Sequence, residues 1–511
     1  MTSQSATMPP INDRREIFGW TMYDWANSAF STTVGTVFLG PYVTAIAEQA
    51  ADAEGFLHLG SLALRPDSLF AYTVSASVLL QVAFLPVLGA LADYSHLRKK
   101  MLMFFAVLGA LATSLMYFIT DGGHWLGMIL FMIANVSFGA GVVFYNAYLP
   151  DIASQDRRDH VSAAGFALGY AGGGLLLLLN LLMFLFSDAI GLSEAMVARI
   201  SLASAGFWWL GFSTITFRLL RSRHTVKALP PGETYLSIGF SQLAKLLGVD
   251  RQIVTMLMLL PLLIPVLLLL RLPLWLALLP GAGPIIVLII FIARKSKTLP
   301  EAMKYLVAYL LYNDGIQTVI AVAAIFAAVE LGMAVTNRIL VILMIQFVAF
   351  GGAYLFSYLA RKLGAKNAIL ITLVIWSLAV VFAYFGMKDP SIVAGVGIAR
   401  AELEFWVLGF VVALILGGSQ ALSRSLFSQM IPKNQEAEFF SFYEVSERGT
   451  SWLGTFVFAR VNDITGSLRL GILSLIFFFV VGLVLLPRVN VKKAIEEGRA
   501  ARPEFVGAGG G

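Results

Sequence analysis

The stretch Trp20-Thr21-Met22-Tyr23-Asp24-Trp25-Ala26-Asn27-Ser28-Ala29-Phe30 opens an apolar segment running to about Ala47, and it carries a carboxylate, Asp24, inside that segment. A charged side chain at bilayer depth costs about 2.5–3.5 kcal/mol on insertion scales, so chains keep one mainly where it faces a bundle interior, pairs, or serves an ion. At helical spacing Asp24, Asn27, Ser28 and Ser31 fall on one face, with Met22, Ala26 and Ala29 opposite. The segment therefore reads as a membrane helix that presents a polar stripe inward.

The remainder supplies a bundle to surround it. The 511 residues are 58% hydrophobic and only 13% charged, and apolar runs near 20 residues recur between short charged loops. That pattern is a polytopic α-helical membrane protein; the short alternating segments of a β-barrel are missing. With no cysteine there is no disulfide framework and no thiolate site. The net charge of +6 resides in loops on one side, which membrane orientation explains without a nucleic-acid partner.

Helices are expected at about 18–47, 69–92, 101–120, 125–149, 162–186 and 199–220, and again at about 303–329, 336–360, 367–387, 404–427, 437–460 and 468–487. Basic residues mark alternate loops: Arg14/Arg15, Arg98–Lys100, Arg157/Arg158 and Arg218/Arg221 in the first set, then Arg361/Lys362/Lys366, Lys433 and Arg488/Lys492/Lys493. Both termini are thus expected in the cytoplasm. The divisions are a cytoplasmic segment 1–17, a six-helix half 18–220, a connector 221–302, a second half 303–487 and a cytoplasmic tail 488–511. Within the connector, 235–252 is amphipathic and suited to the membrane surface. The apolar runs 253–270 and 273–293, joined by Arg271-Leu272, read as an extra transmembrane hairpin, for 12 + 2 helices; a re-entrant pair, favoured by Pro261, Pro265, Pro280 and Pro284, is the rival.

The halves echo each other. Tyr23-Asp24 in the first helix matches Tyr312-Asn313-Asp314-Gly315 in the seventh. After the second helix, Gly89-Ala-Leu-Ala-Asp93-Tyr-Ser-His96-Leu-Arg98-Lys99 resembles the gating loop of the major facilitator superfamily, with His96 in place of a glycine. Ser357-Tyr-Leu-Ala-Arg361-Lys-Leu-Gly364 looks like its degenerate second copy, with Arg361 where the aspartate stands in the first. An aspartate at a helix end followed by basic residues can hold two halves together by charge-assisted contacts in one access state. Gly89, Asp93, Arg98, Arg361, Glu444 and Glu447 are the gate candidates, although Glu444 and Arg448 are also an i, i+4 pair able to neutralise itself.

Tyr23 to Phe30 is similar to the signature of the autophagy-related vacuolar effluxer branch of that superfamily. So are Phe144-Tyr145-Asn146-Ala147-Tyr148-Leu149-Pro150-Asp151, Gly165-x-x-x-Gly169-Tyr-Ala-Gly172-Gly173, Leu311-Tyr-Asn313-Asp314-Gly315-x-Gln317-Thr318, and Gly417-Gly-Ser-Gln420-Ala-Leu-Ser423-Arg424-Ser425 with Ile431-Pro432 and Glu438-Phe-Phe440. The resemblance runs from about 16 to 490, excluding about 235–295. It implies the major facilitator fold of two six-helix repeats and a secondary transporter working by alternating access; the eukaryotic namesake points to amino-acid efflux.

Tyr23, Asp24, Asn27, Asn146, Asn313, Asp314, Gln317, Gln420 and Arg424 are the candidate substrate or ion ligands. Asp24 can be a proton carrier, a partner for a substrate amine, or a structural carboxylate. Arg424 can bind a substrate carboxylate in bidentate fashion or pair with the gate acids from the cytoplasmic end. The glycine face of Gly165, Gly169, Gly172 and Gly173 reads as close helix packing. Expected partners are a small solute, protons and the lipid bilayer, with no cofactor, no metal and a monomeric chain. The expected membrane is the cytoplasmic one, or a vacuole-like one in a eukaryote. Sugars and amphipathic drugs are alternative solutes. A membrane enzyme is the rival of another class, but His58, His96, His124, His160 and His224 are scattered and no nucleophile–base set or phosphate loop stands out. A non-transporting sensor would lose the intramembrane polar residues or gain a signalling domain; neither pattern is present.

Overall fold

The computed structural model of the chain describes residues 10–59, 62–64, 66–95, 97–222, 229–264, 279–389, 391–392, 399–448 and 451–501. The first six long helices are α1 Arg14–Gln49, α2 Pro66–Ser95, α3 Arg98–Phe118, α4 His124–Ile152, α5 Arg158–Leu185 and α6 Glu194–Leu219. A short antiparallel hairpin, β1 Leu57–Leu59 with β2 Leu62–Leu64, lies between α1 and α2. The connector forms α7 Tyr235–Leu247, α8 Arg251–Leu259 and α9 Ala282–Lys295. Then come α10 Pro300–Val329, α11 Val335–Leu363, α12 Ala365–Phe385, α13 Arg400–Met430, α14 Glu436–Arg448, α15 Ser451–Thr465, α16 Leu468–Arg488 and α17 Val491–Ala500. Among the described residues 11 helices are long and apolar enough to cross a membrane, or up to 12 if the bent pair in the connector is one span.

The expected helix ranges recur within a few residues. The range 437–460 is occupied by α14 and α15, with 449–450 outside the described residues. The extra hairpin differs more. The chain turns by 111° between Leu247 and Arg251, where Gly248 adopts a left-handed φ of 58° and Asp250 caps α8. Its central part, 265–278, lies outside the described residues, and α9 has 14 residues, short of the roughly 20 needed to span. The amphipathic α7 buries Ile238, Phe240, Leu243 and Leu247. It approaches α2 so closely that a Cβ on Gly239 would meet Val87 O at 2.8 Å. Its apolar face therefore meets protein rather than lipid.

Local sequence explains the start of α1. Asp13 accepts hydrogen bonds from the Arg15 N–H (2.8 Å) and the Glu16 N–H, satisfying donors that a helix N-terminus leaves open. Further on, Phe30–Phe38 is π-helical. Aromatic packing then anchors α1: Trp20 stacks on Tyr145 of α4 at 4.2 Å and donates to its backbone carbonyl at 2.8 Å, while Phe30 packs with Phe131 and Trp209. The expected glycine face does allow close approach. Cβ atoms on Gly165, Gly169, Gly172 and Gly173 of α5 would meet Asp24, Ser28, Trp25 and Thr32 of α1 at 2.4–2.7 Å.

The helices of the first half (α1–α6) meet those of the second (α10–α17) along two seams, α5 against α11 and α13, and α2 with α4 against α14. Connector helix α9 caps the second seam, with Phe291 stacked on Phe442 at 3.8 Å. The two ends of the described chain lie on one side, tied there by Asn12 to Ser154 (2.9 Å), Arg499 to Gln155, and Lys366 to Val489 O (3.1 Å).

Candidate functional site

On the side that holds the termini, Arg98 at the start of α3 gathers acids from three other helices. Its guanidinium donates to Asp93 Oδ1 at 2.6 and 3.0 Å, to Asp151 Oδ2 at 3.0 Å, and to Glu436 of α14. Asp93 in turn accepts the backbone N–H groups of Ala437 (3.2 Å) and Glu438 (2.8 Å), so a carboxylate from the first half caps a helix of the second. Gly89 brings α2 near enough, since a Cβ there would lie 2.5 Å from Ala437 O. Thus Gly89, Asp93 and Arg98 converge on one closed contact between the halves. Arg361 does not match its counterpart: it is exposed, lies over the Tyr358 ring at 5.6 Å, and makes no ion pair among the described residues. A basic residue where the first copy has Asp93 cannot cap a helix N-terminus. The Glu447 and Arg448 side chains, like His96, lie outside the described residues.

Further polar contacts join the halves nearer the middle. Arg158 donates to Ser428 O (2.8 Å), Ser425 to Asp159 (2.6 Å) and Ser162 to Ala421 O (2.8 Å). Beyond them lies a cavity of about 650 Å³ between the halves. Asp24, Asn27, Ser28 and Ser31, the face read from the sequence, all line it. Ser31 and Thr36 are solvent-exposed within it, so the cavity opens away from the termini.

The floor of the cavity is an ion pair. Arg424 Nη1 on α13 lies 3.3 Å from Asp24 Oδ2 on α1, and Tyr145 donates its hydroxyl to the same oxygen at 2.7 Å. Arg424 also donates to Ser162 Oγ (2.9 Å), Ser162 O (2.8 Å) and Asn146 Oδ1 (3.2 Å). Its guanidinium lies over Phe166, 4.1 Å from the ring centroid, which suits the flat, weakly hydrated arginine cation. Asn146 then donates to Glu444 Oε1 at 2.8 Å, and Tyr170 donates to Gln420 Oε1 at 2.6 Å. Both charges of the pair are nearly buried, with side-chain exposures of 12% for Asp24 and 3% for Arg424. Burial of this kind is tolerable only because every charge meets an opposite charge or a hydrogen-bonding group.

The expected ligands therefore divide. Asp24, Asn27, Asn146, Gln317, Gln420 and Arg424 line the cavity, as does Glu444, expected among the gate residues. Tyr23, Asn313 and Asp314 do not. Tyr23 is buried 5.3 Å from the Tyr145 ring, and Asp314 turns toward α15, accepting the Gly454 N–H at 2.9 Å. Arg424 meets Asp24 rather than the gate acids, whose cation is Arg98. Sequence patterning gives no special weight to Tyr145, Ser162 or Glu436. Tyr145 sits beside Asn146 in a quoted motif, which is the one signal that points to it; the others are known only through contacts 262 and 338 residues apart.

Comparison with known proteins agrees with this architecture. The chain is 28% identical over 472 residues to the uncharacterized MFS-type transporter YxiO of Bacillus subtilis, covering 91% of this chain and 93% of that one. It is 26% identical to autophagy-related protein 22-1 of Aspergillus clavatus, over 95% of this chain and 90% of the other. The solved structure of the proton:xylose symporter XylE of the major facilitator superfamily superposes with a TM-score of 0.61 at 12% identity, covering 93% and 95% of the two chains. The profile of the family described as "Vacuole effluxer Atg22 like" matches residues 12–266 and 286–499. Built on the major facilitator fold and matched along nearly all its length, the chain belongs to the Atg22-like vacuole effluxer family of membrane transporters.

Proposed function

We propose that this transporter moves small zwitterionic solutes, amino acids foremost, by alternating access, and that the Asp24–Arg424 pair is the element a substrate replaces. The carrying observation is that pair's position, at the floor of the cavity and across the two halves. A bound ammonium is a ligand for Asp24 and a bound carboxylate is a bidentate partner for Arg424. A zwitterion can thus part the two residues without leaving either charge bare, removing one tie between the halves as it binds. Asn146, Gln317 and Gln420 supply neutral hydrogen-bonding groups around it.

In this reading Arg98, Asp93 and Glu436 are the gate on the side of the termini, closed here, and must separate for the cavity to open there. A proton delivered to Asp24 has the same effect as the substrate ammonium, since a neutral carboxyl no longer holds Arg424; protons are the coupling ion in this scheme. The termini face the cytoplasm, the membrane is the cytoplasmic one, and one chain holds a complete pathway. These assignments draw support from loop charge and from a cavity lined by both halves of one chain.

The test uses purified protein in liposomes loaded with a pH-sensitive dye. Amino acids, then sugars, are presented under an imposed gradient to the wild type and to Asp24→Asn. Amino-acid-dependent proton flux that disappears in Asp24→Asn, with the fold retained, is the expected result. Flux that survives the change removes Asp24 from the coupling role, and flux with sugars alone overturns the zwitterion assignment.

A further inference from the structure

Arg338, in the first turn of α11, lines the same cavity far from its floor. Gln346 of α11 donates to Thr32 of α1 at 3.2 Å, which fixes the two helices in register. Arg338 is eight residues before Gln346, hence about 12 Å nearer the mouth at 1.5 Å per residue, while Asp24 is eight residues on the other side of Thr32. The guanidinium therefore stands roughly 20 Å above the Asp24–Arg424 pair, too far for one small solute to touch both.

Arg338 is half-buried, its Nε is buried with no hydrogen-bond partner, and it makes no ion pair among the described residues. Three other arginines among the described residues at this end of the bundle are occupied. Arg199 donates to Tyr117 O (2.6 Å), Arg400 contacts Glu404 (3.2 Å), and Arg469 contacts Glu330 (2.6 Å). The acid nearest in sequence, Glu330, is held by Arg469, and Glu402 accepts a hydrogen bond from the adjacent Asn337 at 2.7 Å. The walls around Arg338 are apolar, including Val341, Ile342, Phe405 and Leu408. An uncompensated cation between low-dielectric walls is costly, and its field is focused along the cavity rather than dispersed in water.

Resting on the reading of this cavity as the solute path, we infer that Arg338 is an anion-capture residue at its mouth: it draws in solutes bearing a carboxylate or other anionic group and hands them to Arg424. The substrate class narrows accordingly. Neutral sugars and purely cationic amphiphiles gain nothing from Arg338, whereas zwitterions and organic anions do.

The absence of cysteine from the chain makes a direct test available. A thiol is introduced at Ile342→Cys, one turn from Arg338 on the same face, and separately at Thr36→Cys across the cavity. Its reaction rates with an anionic and a cationic methanethiosulfonate reagent are compared in proteoliposomes at low salt. Arg338→Gln should lower the anionic-to-cationic rate ratio by about five-fold or more, an effect that shrinks toward physiological salt, and Arg338→Lys should restore it. A ratio unchanged by Arg338→Gln at both positions overturns the inference. Because labelling needs no substrate, a lost transport assay with the ratio shift intact refutes the amino-acid reading alone.

Discussion

Arg424 and Asp24, 400 residues apart in sequence, meet at 3.3 Å on the floor of the cavity and tie the first half of the chain to the second. Removing one partner leaves the other charge buried and bare. Asp24→Asn or Arg424→Gln alone should therefore destabilise the protein by about 3–5 kcal/mol, a cost set by desolvation rather than by the pair's own attraction. The double variant should recover a large part of that loss while remaining transport-dead. Thermal unfolding of the four proteins in detergent gives the coupling energy, and additive effects would mean the pair is not formed.

Gly165 approaches the same pair from α5. A Cβ there would lie 2.7 Å from Asp24 Oδ2 and from Tyr145 Oη, and 2.9 Å from Arg424 Nη2. At Gly172 the obstacle is backbone, with Trp25 O at 2.4 Å. Gly172→Ala should accordingly cost roughly 1–3 kcal/mol through helix separation. Gly165→Ala should lose transport out of proportion to stability, because flexible side chains yield but their pairing geometry does not. Paired melting and uptake measurements distinguish the two.

The Arg98 cluster offers a test of the gate. Arg98→Gln leaves Asp93, Asp151 and Glu436 without their shared cation and weakens the contact between α2 and α14. Ala421, fully buried where α13 meets α5, should then become reachable from the side of the termini. The expected outcome is faster alkylation of Ala421→Cys in the Arg98→Gln background than in the wild type. An unchanged rate would assign the cluster a purely structural role.

At the surface, Asp13 caps α1 and contacts Arg221 at 2.7 Å. The Arg15 N–H, helped by the Glu16 N–H and Arg221, holds its carboxyl below the usual carboxylate value of 3.8. The sign follows: the ionised form is preferred when folded, so its stabilisation is present above about pH 4 and is lost as pH falls through the depressed value. Asp13→Ala should lower the melting temperature at pH 7, and the gap to wild type should narrow as pH falls below about 4.

What the sequence determined by itself was the architecture. Runs of apolar residues in a solvent that cannot satisfy backbone groups leave helices as the outcome, so span positions follow from composition. The inward face of α1 was equally legible, because Asp24, Asn27, Ser28 and Ser31 repeat at helical spacing and no lipid-facing side could carry them. Tertiary structure decided which polar groups meet. Helical periodicity fixes the relative azimuth of residues on one helix but not the neighbour that the face turns toward. Asp24 and Asp314 occupy matching places in the two halves, yet one faces the cavity and Arg424 while the other faces α15 and the Gly454 amide. Asp93 and Arg361 likewise hold matching places near the ends of α2 and α11, yet only the first joins an ion cluster, in which Arg98 gathers Asp93, Asp151 and Glu436 from three separate helices. Arg338 was invisible among ordinary helix-end arginines until the packing placed it in the cavity without a counter-ion. Charges are read one at a time along a chain, but the cost of burying them depends on what lies within a few ångströms, and only the folded bundle sets that.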